Sequence, residues 1–211
     1  SESGGGRNLK KTVFGGTGKT ASGRPVFSRT GRFFYTVGKI IFGGEKFMTV
    51  GADEKKVGEM SDEEILERII KLGFDGDRQL YEKFCDRLRE GLPKNTGVAL
   101  RGSVVTNERY EDSRPFDALG ENTSDLDVTL IGEEARSMWR DDAYYIPALH
   151  TKPLGDKDPD IAPALNPLRV ELQEMVGRPV NIQATANFIM YIRDVLMNQP
   201  FYMIIEPEET A

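Results

Sequence analysis

Apolar positions recur every three or four residues between residues 61 and 91, and that spacing predicts two amphipathic helices. In "SDEEILERIIKLG", Ile65, Ile69 and Leu72 share one face. Ser61 and Glu64 stand at capping-box spacing, and Gly73 ends the pattern. In "DRQLYEKFCDRLREG", Leu80 or Tyr81 joins Phe84, Cys85 and Leu88 on one stripe, with Gly91 and Pro93 as the stop. The period then changes. Val98, Ala99 and Leu100 read as a short strand that runs into Gly102-Ser103. "SDLDVTL" alternates, so Asp125, Asp127 and Thr129 face one side and Leu126, Val128 and Leu130 the other. "GEEARSM" predicts a short helix leading to Trp139, read as a packing residue. "NPLRVELQEMVGR" predicts a helix capped by Asn166, with Pro167 in its first turn, Leu168, Leu172 and Met175 buried, and Gly177 at its end. "PVNIQATAN" follows as a strand, then a helix over 188–197 with Phe188, Tyr191, Ile192 and Val195 in the core, and a last strand over 201–205. Residues 148–167, rich in Pro and charge, read as a loop. These elements predict an α/β (α+β) fold: a small mixed sheet with packed helices.

Charge divides the chain. Residues 1–50 hold nine Lys and Arg against Glu2 and Glu45, whereas the 211-residue chain carries a net charge of −6. A basic, Gly-rich arm over residues 1–60 thus precedes an acidic domain over residues 61–211. Within the arm, "GGTGKT" invites comparison with a phosphate-binding loop. The spacing excludes it, because Val13 occupies the position where that loop needs its first Gly. "RFFYTVGKIIF" (32–42) has strand composition, and its basic residues interleave with Phe33, Phe34 and Tyr35 in a way that suits nucleic acid.

Composition narrows the chemistry. No apolar run approaches the length of a membrane span, and the N-terminal residues lack the apolar core of a secretory leader. Cys85 and His150 are the single residues of their types, which argues against a zinc site and agrees with a reducing, cytoplasmic site of action. Cys85 lies on an apolar stripe as a small core residue, and His150 lacks any accompanying nucleophile pattern. Asp125 and Asp127 are different. Two carboxylates side by side repel, and the repulsion raises one pKa unless something positive lies between them. A hard divalent ion, Mg²⁺ or Mn²⁺, would do so. The alternative is a solvated strand edge, or a turn capped by Asp125.

The combination of an apolar strand ending in "LRGS" (100–103) with a second opening as "SDLDVTL" (124–130) resembles the polymerase β-type nucleotidyltransferase superfamily. The resemblance covers residues 77–206 in layout and rests on few diagnostic residues. It implies that Gly102 and Ser103 hold a nucleoside triphosphate and that Asp125 and Asp127 bind two Mg²⁺ ions. It implies transfer of a nucleoside monophosphate from an NTP to an acceptor, with pyrophosphate leaving. Two features depart from the family. The spacer from Val104 to Thr123 is about twice the length found in compact members, which suggests an insertion beside the site for acceptor or base recognition. The position of a third carboxylate falls on Asn181, with Gln183 beside it. Glu171, Asp158 and Asp160 are candidate replacement acids, and Lys152 and Lys157 candidate phosphate contacts.

Three functions follow as expectations. The first is a Mg²⁺-dependent transferase acting on RNA such as tRNA, on a protein or on a small molecule, with a toxin-like effector as one setting. The second is an inactive nucleotide-binding scaffold. The third is a nucleic-acid-binding module that uses the basic arm.

Overall fold

The computed structural model describes residues 55–207. Most of the basic arm, including the strand and nucleic-acid contact expected at 32–42, lies outside the described residues. After a 3-10 turn (Val57–Glu59), helix α1 (Asp62–Gly73) starts at Ser61. Both halves of the capping box form: Glu64 N donates to Ser61 Oγ (3.2 Å), and Ser61 N donates to Glu64 Oε2 (2.8 Å). Helix α2 (Arg78–Gly91) is capped by Asp77, whose Oδ1 accepts from Gln79 N and Leu80 N. Strand β1 (Gly97–Arg101), the one-turn helix α3 (Ser103–Thr106), strand β2 (Leu126–Ile131) and short helix α4 (Glu133–Arg136) follow. Then come β3 (Tyr144–Ile146), β4 (His150–Thr151), α5 (Asn166–Val176) and β5 (Val180–Thr185). A final turn α6 (Phe188–Met190) continues into a π-helical turn (Tyr191–Val195) before β6 (Phe201–Ile205).

The strands form one mixed sheet in the order β3-β4-β5-β2-β1-β6. Strand β2 pairs antiparallel with β1 and parallel with β5. The alternation predicted for β2 sets the layers. Leu126, Val128 and Leu130 join Val98, Leu100, Val180 and Ile182 in the main core, with Ile65, Ile69, Phe84, Leu88 and Leu172 from the helices. Cys85 is part of this core, and burial pushes its thiol up to about 11, so it stays protonated at neutral pH. Trp139 packs in the same core and donates Nε1–H to the Lys152 carbonyl (3.0 Å). On the opposite face, Ala99, Ile192, Phe201 and Met203 form a smaller cluster under the last helical turns. Among the described residues no helix is long and apolar enough to cross a membrane.

Three local expectations need correction. The stretch 148–167 is not all loop: His150 and Thr151 pair with Tyr144 and Ile146 as a hairpin on the sheet edge. Helix α5 begins at Asn166 rather than being capped by it, and Asn166 Oδ1 accepts instead from Arg169 Nε (2.8 Å). The helix expected over 188–197 is one α-turn followed by a π-turn, with Tyr191 and Ile192 buried and Val195 half-buried.

Candidate active site

Register builds the site. Asp127 lies opposite Arg101 across the β1–β2 pair and opposite Asn181 across the β2–β5 pair. Asp125 precedes β2 by one residue, and Asn181 Nδ2 donates to its Oδ2. Gly102 and Ser103 sit where β1 ends and α3 begins. All five sequence-predicted residues, Gly102, Ser103, Asp125, Asp127 and Asn181, line one cleft of about 850 Å³. Two buried arginines fix its walls. Arg68 of α1 donates to the carbonyls of Val105 and Thr106 (3.3 Å each), satisfying the end of α3 and holding Gly102-Ser103 in place. Arg169 of α5 pairs with Asp156 (2.9 Å) and so fixes the 153–158 loop that closes the cleft from the β5 side.

Gly102 is required for two reasons. Its φ of 75° and ψ of −152° lie in a region open to Gly alone. A Cβ there would also come within 2.9 Å of Asp127 Oδ2. Gly102→Ala is therefore expected to cost about 1–3 kcal/mol of stability from backbone strain. It should also displace the Asp127 carboxylate. Chemical denaturation of the variant against wild type checks the first effect; an unchanged midpoint would exclude it.

Asp127 is electrostatically unusual. Burial pushes its carboxyl up to about 6. Arg101, with Nη1 3.4 Å from Asp127 Oδ2, opposes that shift, whereas Asp125 and Glu111 add to it. Arg101 also donates Nε–H to Thr129 Oγ1 (3.2 Å) and bonds Gln183 Oε1 through Nη2, so only part of its charge is directed at Asp127. A carboxylate desolvated to this degree gains from a further cation. The carboxylates of Asp125 and Asp127 supply the oxygen ligands a hard divalent ion takes, whereas Asn181 turns its amide Nδ2 toward Asp125. Mg²⁺ is commonly held by one or two protein carboxylates together with substrate phosphates, and Asp125 and Asp127 meet that requirement. Among the described residues no group of three or more His, Cys, Asp or Glu is arranged to hold a metal, in keeping with amide rather than carboxylate at Asn181.

Several expectations about the surroundings change. Glu171 of α5 accepts from Arg87 Nε of α2 (2.7 Å) and is absent from the cleft lining, as is Asp160; Asp158 and Lys157 do line it. Lys152 donates to the Asp142 carbonyl (3.1 Å) instead. The segment 104–123 borders the site, bringing Glu108, Arg109, Tyr110 and Glu111 to the cleft. It is pinned by Arg178, from the turn after α5, which bonds both Asp117 oxygens (3.2 and 3.0 Å), Asn122 Oδ1 (2.8 Å) and the Ser124 carbonyl (3.2 Å). Sequence reasoning missed Arg101, Glu111 and Arg178. Arg101 had a signal, since strand alternation carries Arg101 to the same face as Ala99.

Comparisons of the chain with protein-family models, with curated proteins and with solved structures gave no match.

Proposed function

We propose that this chain is a Mg²⁺-dependent nucleotidyltransferase of the polymerase β type, moving a nucleoside monophosphate from an NTP to an acceptor hydroxyl on RNA, such as a tRNA end, or on a protein. One observation carries the reading: the strand register that stands Asp127 between Arg101 and Asn181, beside Asp125 and in one cleft with the adjoining Gly102-Ser103. In-line attack on the α-phosphorus needs charge stabilisation on both the entering and the leaving oxygen, and bound Mg²⁺ supplies that stabilisation. Asp125 and Asp127 would hold it. Ser103, with its hydroxyl and backbone N–H at the head of α3, would orient the triphosphate. Arg109 and Lys157 on facing loops would attract its negative charge. Arg101 keeps Asp127 in place from the sheet side by ion pairing.

A second reading is favoured by one contact. Asn181 Nδ2 satisfies Asp125 directly, as suits a nucleotide-binding scaffold that performs no transfer. The test that separates the two uses each labelled NTP with Mg²⁺ or Mn²⁺ and total RNA, then protein acceptors. The transferase reading expects label transfer and pyrophosphate release, lowered on the order of 10³-fold in Asp125→Ala/Asp127→Ala because several kcal/mol of charge stabilisation is lost. NTP retention without pyrophosphate release from the wild-type chain would favour the scaffold. RNA binding untouched by the double substitution, with no use of NTP, would favour the binding module.

A further inference from the structure

The Asp125–Asp127 pair already has a resident cation. Register places Arg101, Asp127 and Asn181 in one row across β1, β2 and β5, with Thr129 and Gln183 in the next row of the same face. Arg101 reaches over both rows. Its Nε donates to Thr129 Oγ1 (3.2 Å), its Nη2 donates to Gln183 Oε1, and its Nη1 lies 3.4 Å from Asp127 Oδ2. The two neutral acceptors are themselves held. Thr129 Oγ1 bonds the Tyr191 hydroxyl (3.3 Å), and Gln183 Nε2 donates to the Thr151 carbonyl (3.1 Å), all four residues being buried. The guanidinium is thus anchored at two uncharged points, and Asp127 is the one carboxylate it pairs with among the described residues.

Each aspartate also has one oxygen engaged. Asp127 Oδ2 faces Arg101 and abuts Gly102, where a Cβ would come within 2.9 Å of it. Asp125 Oδ2 accepts from Asn181 Nδ2. The Asn181 amide is wedged in that orientation, because its Oδ1 lies so near Gly155 that a Cβ there would collide with it. Among the described residues nothing hydrogen-bonds the Oδ1 of either aspartate, so one oxygen of each stays open to an ion. The two carboxylates and the guanidinium sum to one negative charge. One divalent ion reverses that to one positive charge, and a second would leave three. The Arg101 and Asp127 side chains are only 16% and 25% exposed, so little water screens the repulsion. Spacing agrees with charge. The ions of two-metal sites stand about 3.5–4 Å apart, and a second ion at Asp127 would meet the guanidinium.

We propose that Asp125 and Asp127 hold a single divalent ion, and that Arg101 stands as a fixed guanidinium where a second ion would otherwise bind and sets the affinity for the first. The proposal rests on the metal-dependent reading above. It gives Arg101 a role beyond the fold: by competing for Asp127 it weakens the site for the ion, and it keeps a permanent positive charge beside the cleft.

The test counts Mn²⁺ on the full chain, with free Mn²⁺ read by electron paramagnetic resonance, for wild type, Arg101→Met, Arg101→Lys and Asp125→Ala/Asp127→Ala. Counts are taken without nucleotide and with each α,β-methylene ribonucleoside triphosphate at saturation. Wild type is expected to take one ion in both states, and the double alanine none without nucleotide. Arg101→Met is expected to tighten the first ion at least about tenfold, the scale of a unit charge lost a few ångströms away in a part-buried site. It should also admit a second ion when nucleotide is present. Arg101→Lys keeps the charge and should stay at one ion. Two ions on the wild-type chain, with or without nucleotide, overturn the proposal and leave the transferase reading standing. An Arg101→Met affinity equal to wild type does the same. The wild-type count depends on no substitution, so it decides even if Arg101→Met does not fold. One ion on a wild-type chain that binds no nucleotide overturns the transferase reading and leaves the ion count standing. No ion on wild type overturns both.

Discussion

Arg178→Ala lowers the unfolding free energy by about 3–5 kcal/mol, the scale observed when one partner of a buried ion pair is removed. The Arg178 side chain is 1% exposed, so it has no water to fall back on. Its removal leaves Asp117 partly buried without its cation, and frees Asn122 Oδ1 and the Ser124 carbonyl. The guanidinium also stacks over Phe116, with Cζ 4.8 Å from the ring centroid. The damage reaches the site because Ser124 directly precedes Asp125. Arg178→Lys should fall between the two, since an ammonium keeps the charge but cannot span Asp117, Asn122 and Ser124 as a planar fork does. Urea denaturation at neutral pH checks this; an Arg178→Ala midpoint equal to wild type would mean that Asp117 and Ser124 find other partners at no cost.

Stability should also fall as pH drops from about 6.5 to 4, and His150 should account for about 3 kcal/mol of that fall. Burial, and then the nearby Arg101, depress the folded pKa of His150 to about 4. The unfolded chain protonates this imidazole near 6.5, while the folded chain keeps it neutral until about 4. The unfolded state therefore binds more protons throughout that window. The contribution is fully present above 6.5 and is lost as pH falls toward 4. The local geometry explains why the charged form is rejected. His150 Nε2 faces Gln183 Nε2 at 3.3 Å, and that amide already donates to the Thr151 carbonyl (3.1 Å). A protonated Nε2 would set donor against donor. The ring packs against Tyr191 (centroids 4.8 Å apart), and a backbone contact with Ala184, which favours the charged form, is outweighed by burial and Arg101. Unfolding free energies of wild type and His150→Leu at pH 7 and pH 4 measure the effect. The variant should gain about 3 kcal/mol relative to wild type at the lower pH; parallel pH profiles would sink the assignment.

The elements legible in the sequence are those whose signal is local. The Ser61–Glu64 box, the α2 stripe through Phe84, Cys85 and Leu88, and the alternation in β2 are encoded within a few residues, and each forms as read. The proximity of Gly102-Ser103 to Asp125, Asp127 and Asn181 was legible through a layout of strands, and the cleft brings those residues together. The β3–β4 hairpin was not legible. Its strands are three and two residues long, and they lie beside a segment whose Pro and charge content reads as loop. Arg178 was missed for a different reason. A lone Arg beside Pro179 looks like surface, and its burial is created by Asp117, Asn122 and Ser124, more than fifty positions earlier. Glu111 is similar: nothing local in "ERYEDS" distinguishes it from its acidic neighbours, and only the path of residues 104–123 brings it to the cleft that Asp127 lines.

The pairing of β1 with β6 has a consequence for synthesis. Strand β1 carries Arg101 and leads directly into Gly102, yet one of its two edges is completed by Phe201–Ile205, about a hundred positions later. On the ribosome, β1 and β2 emerge early, but β1 waits with an open edge until almost the whole described domain has left the exit tunnel. Closure of so distant a pair carries a large loop-entropy cost and comes late in folding. Nascent chains paused before residue 201 would expose the apolar β1 edge to other chains, the circumstance in which edge strands aggregate.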